Sequence, residues 1–434
     1  MSDLNAWTSR PLIETLALVL DFRGRTPKKL GMEWGGGDIP ALSANNVEMG
    51  KINFSKECYF ASEELYRKWM TRGDAQFRDV VLTTEAPLGN VAQIPDSQRY
   101  ILSQRAILLR TNEDDLCNDY LAHYLRSDVF QNLMRQQSSG TTATGIQRKK
   151  LETLAVRFPI SNLEQAKIAE ILSTVDRAID ETDLLIAKQE RIKVGLMQDL
   201  LTSGIDEHGN VRSESTHRFK DSLLGRIPDE WICKPLSYFV PSAEYGISTS
   251  LGEDGIPVLR MNNLFNGVAD LSDLKYTNRP VPDSLWLRWG DVLFNRTNSW
   301  EHVGKSGMWR DECERATFAS YLVRLIPDKT CLLPELLNLW LNWSKTQIAM
   351  RCLATPAVQQ VNINPTNLRS MLAAFPSGCD EQREIVLQVN KQRDVLDASR
   401  SSLHKLHSLK TALMQDLLTG QRRVTPLLKP EPSC

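Results

Sequence analysis

The chain repeats itself. The single shift that takes Ile39 to Ile256 also lays Pro40, Leu42, Asn45, Asn46 and Gly50 in order onto Pro257, Leu259, Asn262, Asn263 and Gly267. The same shift carries Trp69, Gly73, Asp74 and Phe77 onto Trp286, Gly290, Asp291 and Phe294, and Phe158, Pro159, Glu164 and Gln165 onto Phe375, Pro376, Glu381 and Gln382. It ends on an unbroken run, Met197 to Thr202 recurring letter for letter as Met414 to Thr419. One register held across four separated blocks marks two copies of one structural unit. At a slightly different offset Trp7, Pro11 and Leu12 match Trp231, Pro235 and Leu236, so both copies open alike. Agreement is sparse from about Tyr100 to Ser139 and from Ala316 to Thr355. A shared frame with divergent interiors suits two modules that hold the same pose and recognise different things.

After each Phe-Pro pair the pattern changes from short strand-like runs to long helical periodicity, with no proline from Ser161 to Leu201 or from Ser377 to Thr425. Ile168, Leu172, Val175, Ile179, Ile186, Leu196 and Leu200 form one apolar stripe. Ile385, Val389, Leu396, Leu403, Leu406, Leu413 and Leu417 form the matching one, and both follow heptad spacing. A helix of about 40 residues is on the order of 60 Å long at 1.5 Å per residue, far beyond a typical globular helix. Such helices bury their stripes most economically against each other. Because each follows an equivalent module, the expected arrangement is an antiparallel pair related by a pseudo-twofold axis. Lys193 and Lys410 fall at equivalent seam positions among the polar residues Thr182, Gln189 and Ser399.

The fold class expected is therefore mixed α+β: two similar α/β modules separated by two long antiparallel coiled-coil helices. The boundaries read are 1–160 for the first module, 161–204 for the first helix and 205–226 for a linker. They continue with 227–376 for the second module, 377–420 for the second helix and 421–434 for a tail.

With 434 residues and 41% hydrophobic residues, the chain has the makeup of a multidomain globular protein. Its apolar runs stop well short of the roughly 20 residues that span a bilayer, and Met1 to Arg10 lack a secretory pattern, so no membrane is expected and the cytoplasm is the expected compartment. Eight cysteines are scattered without a Cys-x-x-Cys pair, which argues against structural zinc and thioredoxin-type chemistry. The net charge of −1 gives no global basic footprint, so any grip on nucleic acid has to be local or shared with partners.

Catalytic signatures are missing from the sequence. Gly304-Lys305-Ser306 ends like a phosphate-binding loop, but Ser299 stands where that loop needs glycine. Gly35-Gly36-Gly37 lacks the spacing of a dinucleotide site. His404 and His407 lie in the helical stretch, without a zinc-binding spacing. Asn364-Pro365 continues as Thr366-Asn367, so the catalytic loop of adenine-methylating enzymes is absent.

What remains is a set of polar and basic loops suited to DNA. In the first module these are Arg23, Arg25, Lys28 and Lys29 around Gly24 and Pro27, then Gln147, Arg148, Lys149 and Lys150 after the Ser/Gly/Thr-rich run from Ser138 to Gly145. The second offers Arg260, Asn262 and Asn263, then Arg296 and Asn298, then Gln359, Gln360, Asn362 and Asn364. Arginine pairs bidentately with guanine and Asn or Gln with adenine, while lysine more often grips phosphate. Taken singly, each is equally a solvated loop residue, and the pairs Asn45-Asn46 and Asn262-Asn263 are equally turn formers.

The chain resembles the specificity subunits of Type I restriction-modification systems. The residues that carry the resemblance are Gly24-Arg25-Thr26-Pro27, Trp34 and Gly37-Asp38-Ile39-Pro40, the Tyr245-Gly246-Ile247-Ser248 opening of the second module, and the two Glu-Gln-plus-helix blocks. It covers nearly the whole chain, and the duplicated order is its most specific part. The resemblance implies two target-recognition domains, each reading one half of a bipartite, asymmetric site on double-stranded DNA. It implies that two methyltransferase subunits dock on the helices and that restriction (helicase-nuclease) subunits join the complex. S-adenosylmethionine, ATP and Mg are then expected in those partners, with no cofactor, metal or catalytic residue in this chain. Two other classes fit less of the sequence. A self-contained adenine methyltransferase or fused restriction enzyme needs a cofactor pocket and catalytic loop, and a bare coiled-coil scaffold leaves the paired modules unexplained.

Overall fold

The computed structural model describes residues 6–139, 144–357 and 360–428. Gln359 and residues 140–143 of the run Ser138 to Gly145 lie outside them. The chain divides into two compact units, Met1–Leu184 with Ser401–Cys434, and Leu185–Arg400.

In the first unit, β1 (Trp7–Pro11) leads into β2 (Leu16–Asp21), β3 (Ile39–Leu42) and β4 (Tyr59–Ala61). Helix α1 (Glu63–Trp69) starts where the Ser62 hydroxyl accepts from Leu65 N. Next come β5 (Val80–Thr84), β6 (Leu88–Gln93), β7 (Ile101–Leu102) and β8 (Ala106–Thr111). Helices α2 (Asn118–Arg126), α3 (Asp128–Gln137) and α4 (Arg148–Glu152) precede β9 (Ala155–Pro159) and the long α5 (Asn162–Leu200). The strands form a four-stranded sheet in the order β2-β8-β5-β6, a three-stranded sheet β4-β3-β7, and a ribbon in which β1 pairs antiparallel with β9. The apolar runs of β5 and β8 are buried on both faces, which is why they read as continuous rather than alternating.

In the second unit the hairpin β10 (Phe219–Ser222) and β11 (Gly225–Pro228) is followed by β12 (Trp231–Pro235), α6 (Leu236–Phe239), β13 (Ser242–Tyr245) and β14 (Ile256–Leu259). Next are β15 (Leu264–Phe265), β16 (Gly267–Ala269), β17 (Lys275–Thr277), β18 (Val292–Asn295), β19 (Thr297–Asn298), β20 (Ser306–Met308), β21 (Thr317–Phe318) and β22 (Leu322–Ile326). Helices α7 (Pro334–Leu341) and α8 (Ser344–Arg351), strands β23 (Thr355–Ala357) and β24 (Gln360–Asn362), α9 (Pro365–Ser370), β25 (Leu372–Pro376) and α10 (Cys379–Leu418) complete it. The main sheet runs β13-β22-β18-β20-β16-β15, beside β17-β14-β21 and β19-β24-β23.

The duplication survives at the level of register. Trp7 pairs with Pro159 and Pro11 with Ala155 in the first ribbon; Trp231 pairs with Pro376 and Pro235 with Leu372 in the second. One block of the constant-shift match does not survive. Asp79, not Asp74, occupies the place of Asp291: its Oδ2 accepts from Gln76 N at 2.7 Å and its carboxylate from Arg110, as Asp291 accepts from Arg288 N at 3.0 Å and from Arg324. The shift is smaller there, because the first module holds the two-turn α1 where the second has only the helical turn Asp283–Leu285. The identity of Gly73, Asp74 and Phe77 with Gly290, Asp291 and Phe294 at the constant shift is a coincidence of register.

Both long helices are shorter than the boundaries 161–204 and 377–420, since Gly204 (φ 65°) and Gly420 (φ 74°) adopt the left-handed conformation that ends a helix. Within each unit the helical segments run antiparallel. In the first, Glu164 meets Arg423 and, farther along α5, Asp176 meets Lys410. In the second, Glu190 meets Arg400, while Leu196 and Leu200 pack into the core that holds Ile385 and Val389. Of the expected seam, Ile168, Leu172, Val175, Ile179, Ile385, Val389 and Leu396 are buried; Ile186, Leu403 and Leu406 are half-buried.

The segment read as linker and the start of the segment read as tail are packed. Ile205 pairs with Val211, and Arg212 donates to Glu381 Oε1, while Trp231 Nε1 donates to the same oxygen at 3.1 Å. In the first unit Arg423 grips the buried Glu164 through two bonds of 2.6 Å, and Val424 enters the core.

Candidate nucleic-acid interface

At one end of each main sheet the backbone is built the same way and dressed differently. In the first module Thr84 N donates to Arg105 O at 2.9 Å, and Ile146 N to Thr84 O at 2.9 Å. In the second, Arg296 N donates to Tyr321 O at 3.1 Å, and Ile363 N to Arg296 O at 2.8 Å. Asp21, opposite Ile107 on β8, corresponds to Tyr245, opposite Val323 on β22. The loops that follow β2, β5 and the segment before α4 thus meet at a single edge, as do their counterparts after β13, β18 and β24.

On this frame the first module carries an ionic cluster. Arg23 donates to both oxygens of Asp21, at 2.9 and 2.7 Å, and its Nη1 to Thr84 Oγ1 at 3.0 Å. Arg148, far from Arg23 along the chain, reaches within 3.9 Å of Asp21 and is held by Glu152 at 2.6 Å. Arg105 lies 3.3 Å from Glu85. Partial burial acts to raise the Asp21 pKa, but the hydrogen bonds and charge of Arg23 outweigh it and hold the carboxyl below its usual value; Asp21 in turn raises Arg23. The pair stays ionised and fixes the guanidinium, which keeps N–H groups to spare.

The second module presents aromatic and amide groups instead. Arg296 lies 4.9 Å over the ring of Tyr245, and Tyr245, Trp300 and Tyr321 are exposed. Asn362 Nδ2 donates to Thr297 Oγ1 at 2.8 Å, which ties β24 to β19, where Asn298 also sits; Gln360 lies on the same strand β24.

Of the residues singled out in the sequence, Arg23 and Arg148 are brought together, with Gln147 and Lys149 exposed on the turn that carries Arg148. Arg296, Asn298, Gln360 and Asn362 form the second group. Others are held locally. The Arg25 guanidinium donates to Trp69 O and to Thr71 Oγ1 and lies over Phe22, which braces its own loop. Lys28 is exposed on the helical turn Pro27–Leu30, and Lys29 bonds Gly24 O. Arg260 is bonded to Asp273, Asn262 is exposed, and Asn263 is buried with its amide donating to Asp270 O and Asp273 O at 2.9 Å. Asn46 does the same work in the first module, donating to Glu57 O at 3.2 Å, so the repeated asparagines form turns. Asp21, Thr84, Glu85, Arg105, Tyr245 and Tyr321 were missed as members of the edge, since only long-range pairing puts them there.

Residues 7–189 match the family described as the Type I restriction modification DNA specificity domain. Two curated proteins of Methanocaldococcus jannaschii are similar. The Type I restriction enzyme MjaVIII specificity subunit is 25% identical over 352 residues, 78% of each chain. The putative MjaX specificity subunit is 25% identical over 206 residues, 46% of this chain and 48% of that one, so the match spans about half of the latter's length. Residues 7–189 thus match the specificity domain of Type I restriction-modification systems, and the chain over most of its length is similar to their specificity subunits. The fold agrees with that family: the S subunit of a Type I system from M. genitalium superposes with a TM-score of 0.59 at 14% identity, covering 96% of this chain and 97% of the other. Among the described residues no helix is long and apolar enough to cross a membrane.

Proposed function

We propose that this specificity subunit reads a bipartite, asymmetric site on double-stranded DNA, one half with the edge built on Arg23, Arg105 and Arg148 and the other with the edge built on Tyr245, Arg296, Asn298, Gln360 and Asn362. The observation that carries the reading is the shared backbone frame bearing unlike side chains. Equal frames give both modules one docking pose, and unlike donors and acceptors give them different base preferences. Lys28, Gln147 and Lys149 grip phosphate or bases beside the first edge, and Arg260 and Asn262 beside the second. The chain itself performs no catalysis. It serves two methyltransferase subunits, which dock on α5 and α10, and restriction (helicase-nuclease) subunits; S-adenosylmethionine, ATP and Mg act in those partners, in the cytoplasm. Helices α5 and α10 set the spacing between the half-sites. A net charge of −1 is compatible with this because the cations are local and the partners share the backbone contacts.

Methylation-aware sequencing of a host that carries the chain with its methyltransferase subunits tests the reading. A modified motif in two parts with an unspecified gap is expected; a continuous motif, or none dependent on this chain, would contradict it.

A further inference from the structure

Under the internal repeat, Lys193 on α5 corresponds to Lys410 on α10, and Asp176 on α5 to Arg393 on α10. In the first unit the Asp176–Lys410 pair is neutral. Asp176 lies 2.7 Å from Lys410 and 2.9 Å from Arg126, one carboxylate between two cations. In the second unit arginine stands in the carboxylate's place, and Arg393 faces Lys193 with like charge.

The consequence is a cavity of about 280 Å³ in the second unit, lined by Lys193, Lys305, Arg310, Arg351 and Arg393 against Glu335. Five cations against one carboxylate leave a formal excess of four positive charges. Lys305 leans on His302, 2.7 Å away. Among the described residues no hydrogen bond or ion pair satisfies the side chains of Lys193, Arg310, Arg351 or Arg393, and Arg351 Nε is fully buried without a partner. Burial, then the charge of Arg393, pulls the pKa of both Lys193 and Arg310 below its usual value. Half-buried cations that repel one another cost stability unless an anion joins them. The first unit shows that the fold does not need this arrangement, since the same helices there close the site with Asp176.

We propose that this cavity is a binding site for a phosphate group. Three arginines offer planar N–H forks that match phosphate oxygens, and the excess charge exceeds what a single carboxylate could offset. The volume lies at the small end of ligand pockets, sized for a phosphate or diphosphate rather than a whole cofactor. The phosphate comes from one of two sources: the backbone of DNA, or a free polyphosphate such as a nucleoside triphosphate.

Calorimetry on the full chain with pyrophosphate, at low salt, tests the site. Arg393→Asp rebuilds the neutralised arrangement of the first unit, so this variant is expected to melt no lower than the parent chain. It is expected to lose about tenfold or more of the pyrophosphate affinity. Arg351→Gln, which leaves the seam untouched, gives the same loss should the first variant fold poorly. A second arm measures affinity for a short duplex against salt. A free polyphosphate is the source if the variants weaken pyrophosphate binding and leave duplex binding alone. Backbone phosphate is the source if duplex affinity also falls and the salt slope shrinks by roughly one. Pyrophosphate and duplex binding equal in parent and both variants would overturn the proposal, and so would a loss confined to methyltransferase binding, which would mean that a partner's carboxylates fill the cavity.

Discussion

Gln165 and Gln382, equivalent under the internal repeat and both fully buried, make the same three backbone bonds in their two modules. Gln165 donates to Asp115 O and Pro159 O at 2.8 Å and accepts from Cys117 N at 2.9 Å. Gln382 donates to Cys331 O at 2.8 Å and Pro376 O at 2.9 Å, and accepts from Leu333 N at 2.8 Å. Each glutamine locks the start of a long helix to its module's ribbon strand and to the loop before α2 or α7.

Replacing either by leucine keeps the volume but strands buried backbone groups, at about 1–3 kcal/mol each. Gln165→Leu and Gln382→Leu are therefore each expected to destabilise the chain by a few kcal/mol, read as a lower thermal midpoint. A change in either no larger than an ordinary surface substitution causes, about 0.5 kcal/mol, would mean that the lock is not what fixes the helix.

Stability is also expected to depend on pH through His123. Burial, then the charge of Arg126, pushes its imidazole down to about 3; Asp176 opposes this, and Lys410 adds to it. Its ring nitrogens contact Ser173 Oγ and Arg126. The folded chain thus holds the ring neutral while the unfolded chain protonates it near 6.5. The stabilisation is complete above pH 6.5 and is lost as pH falls from there toward 3. Between pH 6.5 and 5 the loss is about 2 kcal/mol. Urea denaturation at the two pH values measures it, and His123→Asn should flatten that part of the profile. An unchanged slope in the variant would assign the dependence elsewhere.

What was legible in the sequence is what the frame demands. Gln165 and Gln382, the ribbon tryptophans Trp7 and Trp231 and the heptad stripe recur because each meets a requirement of local geometry or burial that other residues satisfy poorly. The match of Asp74 to Asp291 failed because a length difference is invisible to a fixed shift; only the bonds of Asp79 reveal it. The edge of each module was half legible. Arg23 and Arg148 stand out as basic loop residues, yet their meeting at Asp21 depends on pairing between strands far apart in the chain, and Tyr245 and Tyr321 resemble any exposed aromatic. The segment 205–226 reads as a linker because the ion pair that fastens it, Arg212 to Glu381, spans 169 residues.

If α5 and α10 set the spacing, lengthening both should change only the gap between half-sites. Inserting seven residues after Leu184 and seven after Arg400 adds two turns to each helix and keeps their faces in phase. The added length is about 10 Å at 1.5 Å per residue. With bases roughly 3.4 Å apart, the gap is expected to grow by about three base pairs while the bases read stay the same. An active variant that modifies sites with the original gap would remove the helices as the ruler.

The most direct measurement exchanges one module. Residues 12–154 lie between the ribbon strands β1 and β9, so replacing them with the equivalent segment of a similar specificity subunit keeps the frame, the helices and the whole second module. Methylation-aware sequencing of the host then reads both halves at once. The account predicts that one half of the modified motif changes to that of the donor, while the other half stays fixed. A motif altered in both halves, or in neither, would contradict independent reading by two modules.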